Sequence, residues 1–551
     1  MPNQIDKNRM CIGIDLGTTN TTVCVARVDT NGRIVTDDCE ILQRSEQNER
    51  NQALLPSIMY VKNDGKEVVG HEARELKKAS ITSVETEARH IENSKRFIGT
   101  TRTWKIGEKT YSPIDVAAKI LTHVKKFSKI RDLIADSDVY ITVPANFDTD
   151  QINNTLEAAK RAGFTNVQLR PEPKAAILSF IHEESEKREH KLLDITTKKR
   201  ILVIDIGGGT CDVCVEDVWT KPNGSCAFEH KAVGRDNIGG IDFDVRIADY
   251  LAAKYCDFEL TKSDRAILVE SAQTIKEMLS NRIDYFIKYS YDDSNYKVVY
   301  SATDWQEKIA DADEVSLTQT LSGGRINFKM SVEEFCNVIV PLVQNKDFIE
   351  TVNKDAREAN KNMQDLLHNT LEENDISLES IDAIFLTGGM SKCFVLKAAL
   401  YELLKKPIIV PSDPMYAVSR GAALMNKYDQ EDIVSHDIMP RSILIETKSG
   451  HLKKLISMGE RVPVTKTVDE VFTTTSRTGV IIRLFEGKDE FDNQLRKLNS
   501  VYKLTYEPQK IGKEFKIEYT IDKTKRVKFT LHFLESGATY EIEAQVKDTE
   551  E

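Results

Sequence analysis

The sequence predicts a two-lobed α/β domain followed by an all-β domain, and three observations carry that reading. A short motif occurs twice, as Cys11-Ile12-Gly13-Ile14-Asp15-Leu16-Gly17-Thr18-Thr19-Asn20 and as Ile201-Leu202-Val203-Ile204-Asp205-Ile206-Gly207-Gly208-Gly209-Thr210. Behind each copy, apolar strand patterns alternate with helical ones, as α/β architecture requires. After residue 438 the apolar residues recur at every second position, as in half-buried antiparallel strands.

Each copy of the motif is an apolar strand ending in Asp, then a Gly/Thr turn, then a second strand: Thr21 to Val28 after the first and Cys211 to Val218 after the second. Successive backbone N–H groups in such a turn converge into a concave anion site. Glycine permits the close backbone approach, and Thr18, Thr19 and Thr210 add hydroxyl donors. Carboxylates do not face bare phosphate, so Asp15 and Asp205 call for a Mg²⁺ ion and its waters between them and a phosphate chain. The turns join strand to strand. That argues against a P-loop and against a dinucleotide fingerprint, both of which open a helix.

The chain of 551 residues is too long for a single core, and its length suggests three or four domains. Hydrophobic content of 40% with 30% charged residues is that of an ordinary soluble protein. Lys+Arg 76 against Asp+Glu 87 leaves −11, without long single-sign blocks, which argues against a nucleic-acid or membrane surface. Nine scattered cysteines lack zinc-ligand or disulfide-framework spacing and read as reduced and structural. The polar start and the lack of a bilayer-length apolar run point to the cytoplasm.

The first lobe reads as residues 1 to about 190. Val139 to Val143 is a buried strand, after which Thr149 or Asp150 caps a helix that stops at Gly163. Glu183 to Arg200 reads as an exposed charged excursion. The second lobe runs from Ile201 to about Asn426, with helices around Ala266 to Ser280 and Ser331 to His368 and a strand at Ile381 to Leu386. Residues 1–428 thus form the α/β domain, 429–437 a polar linker, and 438–551 the β domain. There Phe515, Ile517, Tyr519 and Ile521 alternate with polar residues, as do Val527, Phe529, Leu531 and Phe533, and then Tyr540, Ile542 and Val546.

Four further signals are weaker. Thr387-Gly388-Gly389-Met390-Ser391 joins a strand to the helical pattern Phe394 to Leu404, so bare backbone and a helix N-terminus face one point. Lys276 and Ser280 share a helix face, though such pairs are ordinarily solvated. Lys95 reads equally as a surface lysine. Glu172, between Pro171 and Pro173, reads as extended, either positioning a water or metal or lying in a plain loop.

In this order the pieces resemble the DnaK-type chaperones, the seventy-kilodalton heat-shock family, over nearly the whole chain. IGIDLGTTN, VPANFD, the EPKAA segment from Glu172, DIGGGTCDV and TGGMSK follow the family's order, as do IET, VFTTT and the FEG segment around Glu486. The resemblance implies an actin-like two-lobed ATPase domain and a β-sandwich that binds peptide. It implies ATP/ADP and Mg²⁺ as cofactors, client polypeptides as partners, and J-domain and nucleotide-exchange cochaperones. Carried over, Asp15 and Asp205 hold Mg²⁺ through water, with Asp205 also near the attacking water. Gly17, Thr18, Thr19, Asn20, Gly207, Gly208, Gly209 and Thr210 wrap the phosphates, Lys95 reaches the γ-phosphate, and Glu172 orients water or metal. The implied catalytic set is Asp15, Lys95, Glu172, Asp205 and Thr210. Gly239, Gly240, Lys276, Ser280, Gly388 and Gly389 line the ribose and adenine. Ile445, Phe472, Val480 and Ile482 are the matching peptide-pocket positions, although each also fits plain β-domain core.

The chain departs from the family pattern at several points. Glu277 stands where an adenine-stacking arginine is usual, which predicts weaker nucleotide affinity. Ile152 replaces an arginine tied to interdomain signalling, and the linker reads Ile433-Val434-Ser435-His436 instead of a leucine-like run, so weaker interdomain coupling is expected. Lys448 and Thr475 stand at the positions that arch over peptide. No helical pattern follows the β domain, so the family's lid is expected to be missing and bound peptide to exchange faster. Two alternatives stay open: a nucleotide-gated interaction module with one dedicated partner, and a small-molecule kinase, against which the β domain argues.

Overall fold

The computed structural model describes residues 10–44, 49–81, 89–186, 192–222, 226–291, 300–344, 362–428, 437–447, 450–489, 491–492, 495–506, 510–522 and 525–545. The repeated motif proves to be the start of a repeated sheet. In the first lobe the strand order is Val167–Pro171, Asp138–Val143, Cys11–Leu16, Asn20–Val28, Ile34–Asp38. In the second it is Ile408–Ile409, Ala383–Thr387, Lys199–Ile206, Cys211–Thr220, Cys226–Asp236. The motif strand is central each time. It pairs antiparallel with the strand after its turn and parallel with a later one, so that Asp15 lies beside Thr142 and Asp205 beside Thr387. Strands buried on both faces explain the unbroken apolar runs.

Helices Glu172–Glu186 and Ala417–Tyr428 cross between the two sheets. Their small residues Ala175, Ala176 and Ala422 pack in one core with Cys11 and Tyr140 of the first sheet and Ile201, Val203 and Phe385 of the second. The crossing is close because Gly421 has no side chain; a Cβ there would run into the carbonyl of Ala175. Gly421→Val is therefore expected to force the helices apart at about 1–3 kcal/mol. Differential scanning calorimetry should show this as a lower melting midpoint of the α/β domain.

Local chemistry corrects several boundaries. Asp148, not Thr149 or Asp150, caps helix Thr149–Arg161, because its carboxylate accepts the Gln151 N–H while the Gln151 side chain returns to the Asp148 N–H. Glu172 is not extended: it opens helix Glu172–Glu186, and Pro173 sits in the first turn, where a missing N–H costs nothing. The charged excursion is shorter than expected, since Glu183 to Glu186 are helical and Lys199 and Arg200 lie in a strand. The helical stretch expected around Ser331 to His368 is seen as Val332–Val343 and Met363–Glu372, with 345–361 outside the described residues. Ile433 to His436, Lys448 and Val546 also lie outside them, and Asp437 already belongs to a strand, Asp437–Ile438.

The C-terminal domain packs a four-stranded sheet and a seven-stranded sheet around one core containing Ile445, Leu484, Tyr502, Ile517, Phe529 and Leu531. It docks on the first lobe through the N-terminal turn of helix Thr149–Arg161. Fully buried Asp150 accepts hydrogen bonds from Asn499 N (2.6 Å), Ser500 N (2.8 Å) and Ser500 Oγ (2.6 Å). Asn153 donates to Ser500 Oγ at 3.1 Å, and Glu486 accepts from Thr149 Oγ1 at 2.9 Å. Ile152 points the other way, into the core of the first lobe. The docking contacts are thus carried by its neighbours.

Three carboxylates, Asp148, Asp150 and Glu486, share the one guanidinium of Arg496 in this interface. Burial and the charge of Asp148 push Glu486 up to about 7 despite Arg496. A carboxyl with a raised pKa in the docked state favours docking when it is protonated. That benefit is full below the ordinary 4.5, fades as pH climbs through about 7, and is absent above it. Glu486→Gln keeps an acceptor for Thr149 without the charge. It is expected to dock more firmly at about pH 8 and to lose the pH dependence between about 5 and 8, read by fluorescence transfer between dyes on the two domains.

Candidate functional site

The two motif strands end in the cleft between the lobes, and their carboxylates meet a lysine and a glutamate there. Asp15 accepts from Thr142 Oγ1 at 3.3 Å. Lys95 lies in the short 3₁₀ turn Ser94–Phe97 and donates to Glu172 Oε1 at 2.6 Å, both side chains being about nine-tenths buried. Burial raises the pKa of Asp15, partly offset by Lys95, and pushes Glu172 up to about 7. Asp205 rises well above the usual carboxylate range through burial and the charges of Glu172, Asp212 and Asp15. Burial opposes the charge of Lys95, but Glu172 and Asp15 outweigh it and raise its pKa.

The two glycine turns face each other. A Cβ on Gly208 would strike the Thr19 side chain, so the tips of the repeated hairpins touch across the lobes. In the second turn Gly207 N–H donates to Thr210 O at 3.0 Å, and Thr210 Oγ1 donates to Asp212 at 3.1 Å. Gly239 and Gly240 open helix Gly240–Tyr255, and Gly240 N–H donates to Gly207 O at 2.9 Å. Gly388 takes φ 83°, and a Cβ there would hit the Asp205 carboxylate, so only glycine fits. The glycine pair does not lead straight into an α-helix: the 3₁₀ turn Gly389–Lys392 precedes helix Phe394–Leu404. Arg96 crosses the cleft to the Gly209 carbonyl and to Asp242 at 3.7 Å.

Lys276 is not a solvated lysine. It is buried, pairs with Asp244 at 2.7 Å and donates to Gly240 O at 3.1 Å, and Ser280 lies one turn along the same helix. Glu277 is exposed and accepts from Gln273 at 2.9 Å. Of the four β-domain positions, Ile445 and Ile482 are buried in the core, while Phe472 and Val480 are half-buried and pack against it.

The arrangement fits Mg²⁺ and a phosphate chain. The hydroxyls of Thr19 and Thr387 are buried without a hydrogen-bond partner, as donors awaiting a ligand would be. Asp15, Glu172, Asp205 and Asp212 gather around Lys95, with Arg235 3.5 Å from Asp212, and the carboxylates still outnumber these two cations, an excess that a divalent cation would balance. Asp212, Thr142, Asp244 and Arg96 also belong to the site without being singled out by the sequence, and Thr387 stood in the glycine-pair segment without a role of its own. Asp212, two residues beyond Thr210 and on the same strand face, carried a signal in its period-two spacing. Thr142 and Thr387 come beside the aspartates through sheet pairing, Asp244 meets Lys276 through helix packing, and Arg96 meets Gly209 across the lobes.

Twin lobes meeting at a glycine-lined acidic cleft, joined to a docked β-sandwich, define a two-lobed α/β protein with an attached β domain. The sequence model of the family described as Hsp70 protein matches residues 11–321 and 329–547, and the chain belongs to that family. It is 28% identical over 516 residues to a chaperone protein HscA homolog of Bordetella petrii, covering 89% of this chain and 71% of that one. It is 27% identical over 483 residues to the chaperone protein DnaK of Mycoplasmopsis agalactiae, covering 87% and 69%, and 27% identical over 498 residues to DnaK of Thermosipho melanesiensis, covering 88% and 71%. The family is one of nucleotide- and Mg²⁺-binding chaperones that act on polypeptides with cochaperones. No helix among the described residues is long and apolar enough to cross a membrane.

Proposed function

We propose that this protein hydrolyses ATP with Mg²⁺ in the interlobe cleft and uses the β domain to bind exposed apolar segments of client polypeptides. The observation that carries the reading is the buried Lys95–Glu172 pair set beside Asp15 and Asp205 between two facing glycine turns. Bound Mg²⁺ would supply charge neutralisation to the phosphates. Asp15 and Asp205 would hold its waters. Phosphoryl transfer to water depends chiefly on placement and charge balance. Lys95 would reach the γ-phosphate, and Glu172, held by Lys95 at 2.6 Å, would orient a water. The N–H groups of Gly17 to Asn20 and of Gly207 to Thr210 would hold the phosphates, with Gly239, Gly240, Lys276, Ser280, Gly388 and Gly389 on the nucleoside side. Ile445, Phe472, Val480 and Ile482 would form the apolar peptide site, a role that requires the two core residues to open toward solvent. Cochaperones of the J-domain and nucleotide-exchange types and a cytoplasmic setting belong to the same reading.

Glu277 favours a second reading, a nucleotide-gated module with weak turnover and one dedicated partner, because a carboxylate cannot stack on adenine as a guanidinium does. Calorimetry of ATP with and without Mg²⁺, followed by turnover with and without an unfolded client, tests both. Absence of magnesium-dependent uptake would overturn the proposal. Uptake with no affinity for short apolar peptides on an array would leave the second reading.

A further inference from the structure

Away from the cleft, the second lobe contains a cluster of metal-ligating side chains that nucleotide chemistry does not use. Along strand Cys211–Thr220, Val213 and Val215 face the helices on the outer side of the sheet. Cys214 faces the opposite way, toward helices Glu172–Glu186 and Ala417–Tyr428. Its strand neighbour on that face, Glu216, lies opposite His230 of strand Cys226–Asp236. That pairing depends on an irregularity in the ladder. Val215 pairs with Ala232, but Glu216 pairs with His230, so Lys231 is left out of the register. Lys231 turns instead to Glu229 (2.7 Å) and Asp217 (3.7 Å). Bulges of this kind re-aim a side chain, and here the one re-aimed is an imidazole.

Three different donor types converge as a result. His230 Nδ1 lies 2.6 Å from Glu216 Oε1, and Cys214 Sγ lies 3.9 Å from the same oxygen. All three donor atoms fall within 4.8 Å of one another, and all three residues are buried. A tetrahedral zinc site has ligand–ligand separations of about 3.3–3.6 Å, from bonds of about 2.0–2.3 Å, so the observed spacings bracket what an ion would require. We propose that Cys214, Glu216 and His230 form a Zn²⁺-class metal site inside the second lobe, with water in the fourth position.

The donor set argues for the class of ion. A thiolate excludes Mg²⁺ and Ca²⁺ and suits Zn²⁺. A divalent ion with one thiolate and one carboxylate is neutral overall, and neutral sites are the ones an apolar interior accepts at least cost. On binding, the Cys214 thiol gives its proton to solvent as the sulfur–metal bond forms. The imidazole binds through Nδ1 and carries its remaining proton on Nε2. No electrons move. The ion would tie together two adjacent strands, the first of which begins at the Gly207–Thr210 turn.

The test uses the full-length, untagged protein, stripped with a chelator and titrated with Co²⁺ alone. One equivalent should produce a thiolate-to-cobalt charge-transfer band, which Zn²⁺ then abolishes by displacement. Cobalt held by Asp15 and Asp205 in the cleft would give no such band from oxygen ligands, so the two sites are distinguishable. Cys214→Ser should remove the band. His230→Gln and Glu216→Gln should weaken affinity at least about 100-fold, the upper range for merely disturbing a ligand's hydrogen-bond partner. Zn²⁺ should raise the melting midpoint of the unaltered protein and leave that of Cys214→Ser unchanged. Absence of the band in the unaltered protein, or its persistence in Cys214→Ser, would overturn the proposal whether or not the variants fold well.

Discussion

Replacing Asp205 with Asn is expected to reduce magnesium-dependent ATP turnover by about two orders of magnitude or more, the scale seen when one preorganised electrostatic group is lost from an active site. The same change is expected to leave the ligand-free protein as stable as before, or more so. Burial and the charges of Glu172, Asp212 and Asp15 all disfavour a charge on Asp205 and drive its pKa well above the usual range. Asn has the same shape and no charge, so it relieves that crowding. Opposite signs for turnover and stability are the signature of a residue kept for function at a cost to the fold. Steady-state phosphate release and a thermal melt without nucleotide check both halves. Undiminished turnover would remove Asp205 from the proposed mechanism, and a collapsed fold would make it structural.

Asp150→Ala is expected to abolish docking of the β domain on the first lobe. The carboxylate is fully buried, accepts three hydrogen bonds from Asn499 and Ser500, and lies 3.9 Å from Arg496. Removing one partner of a buried charged network costs about 3–5 kcal/mol, because the remaining donors stay dehydrated and unpaired. That is about a 100-fold or greater change in the docking equilibrium. Small-angle X-ray scattering should then show an extended particle. The exposed Lys488–Glu373 pair offers a control: it also spans the domains, but a solvated ion pair is worth about 0–1 kcal/mol, so Lys488→Ala should leave the particle docked. If Asp150→Ala left the particle compact, the interface would rest on other contacts.

The parts of the fold legible in the sequence are those with a local cause. The Asp15 and Asp205 hairpins announce themselves by an apolar strand, a glycine turn and a second strand. The alternation from Phe515 to Phe533 marks a sheet with one face inward, and that face is buried. Errors occurred where a local rule had two outcomes. A proline after Glu172 disfavours helix at that residue unless it falls in a first turn, and that is where it falls. A charged run after Glu183 looks exposed, but only the third dimension shows that Glu184 is buried in a helix.

The weaker signals were undecidable locally for a related reason. Lys95 and Glu172 are unremarkable alone, and their roles depend on a 2.6 Å contact between groups far apart in the chain. Ile152, a position where the sequence predicts weaker interdomain coupling, packs into its own lobe, while Thr149, Asp150 and Asn153 face the β domain. A helix pattern shows which residues share a face but not which neighbour that face meets. Likewise His230 reads as an ordinary strand residue until the register shift at Glu216 brings it onto the face of Cys214.

By itself the sequence determined the strands, the turn residues and the duplication, because backbone sterics and side-chain periodicity act over a few residues. Only the tertiary structure decided which carboxylates surround Lys95, that the Thr19 and Thr387 hydroxyls are buried unpaired, and that buried Asp150 receives the Asn499 and Ser500 hydrogen bonds of the docked domain. Those facts depend on where separate segments come to rest, and burial then amplifies each charge they bring together.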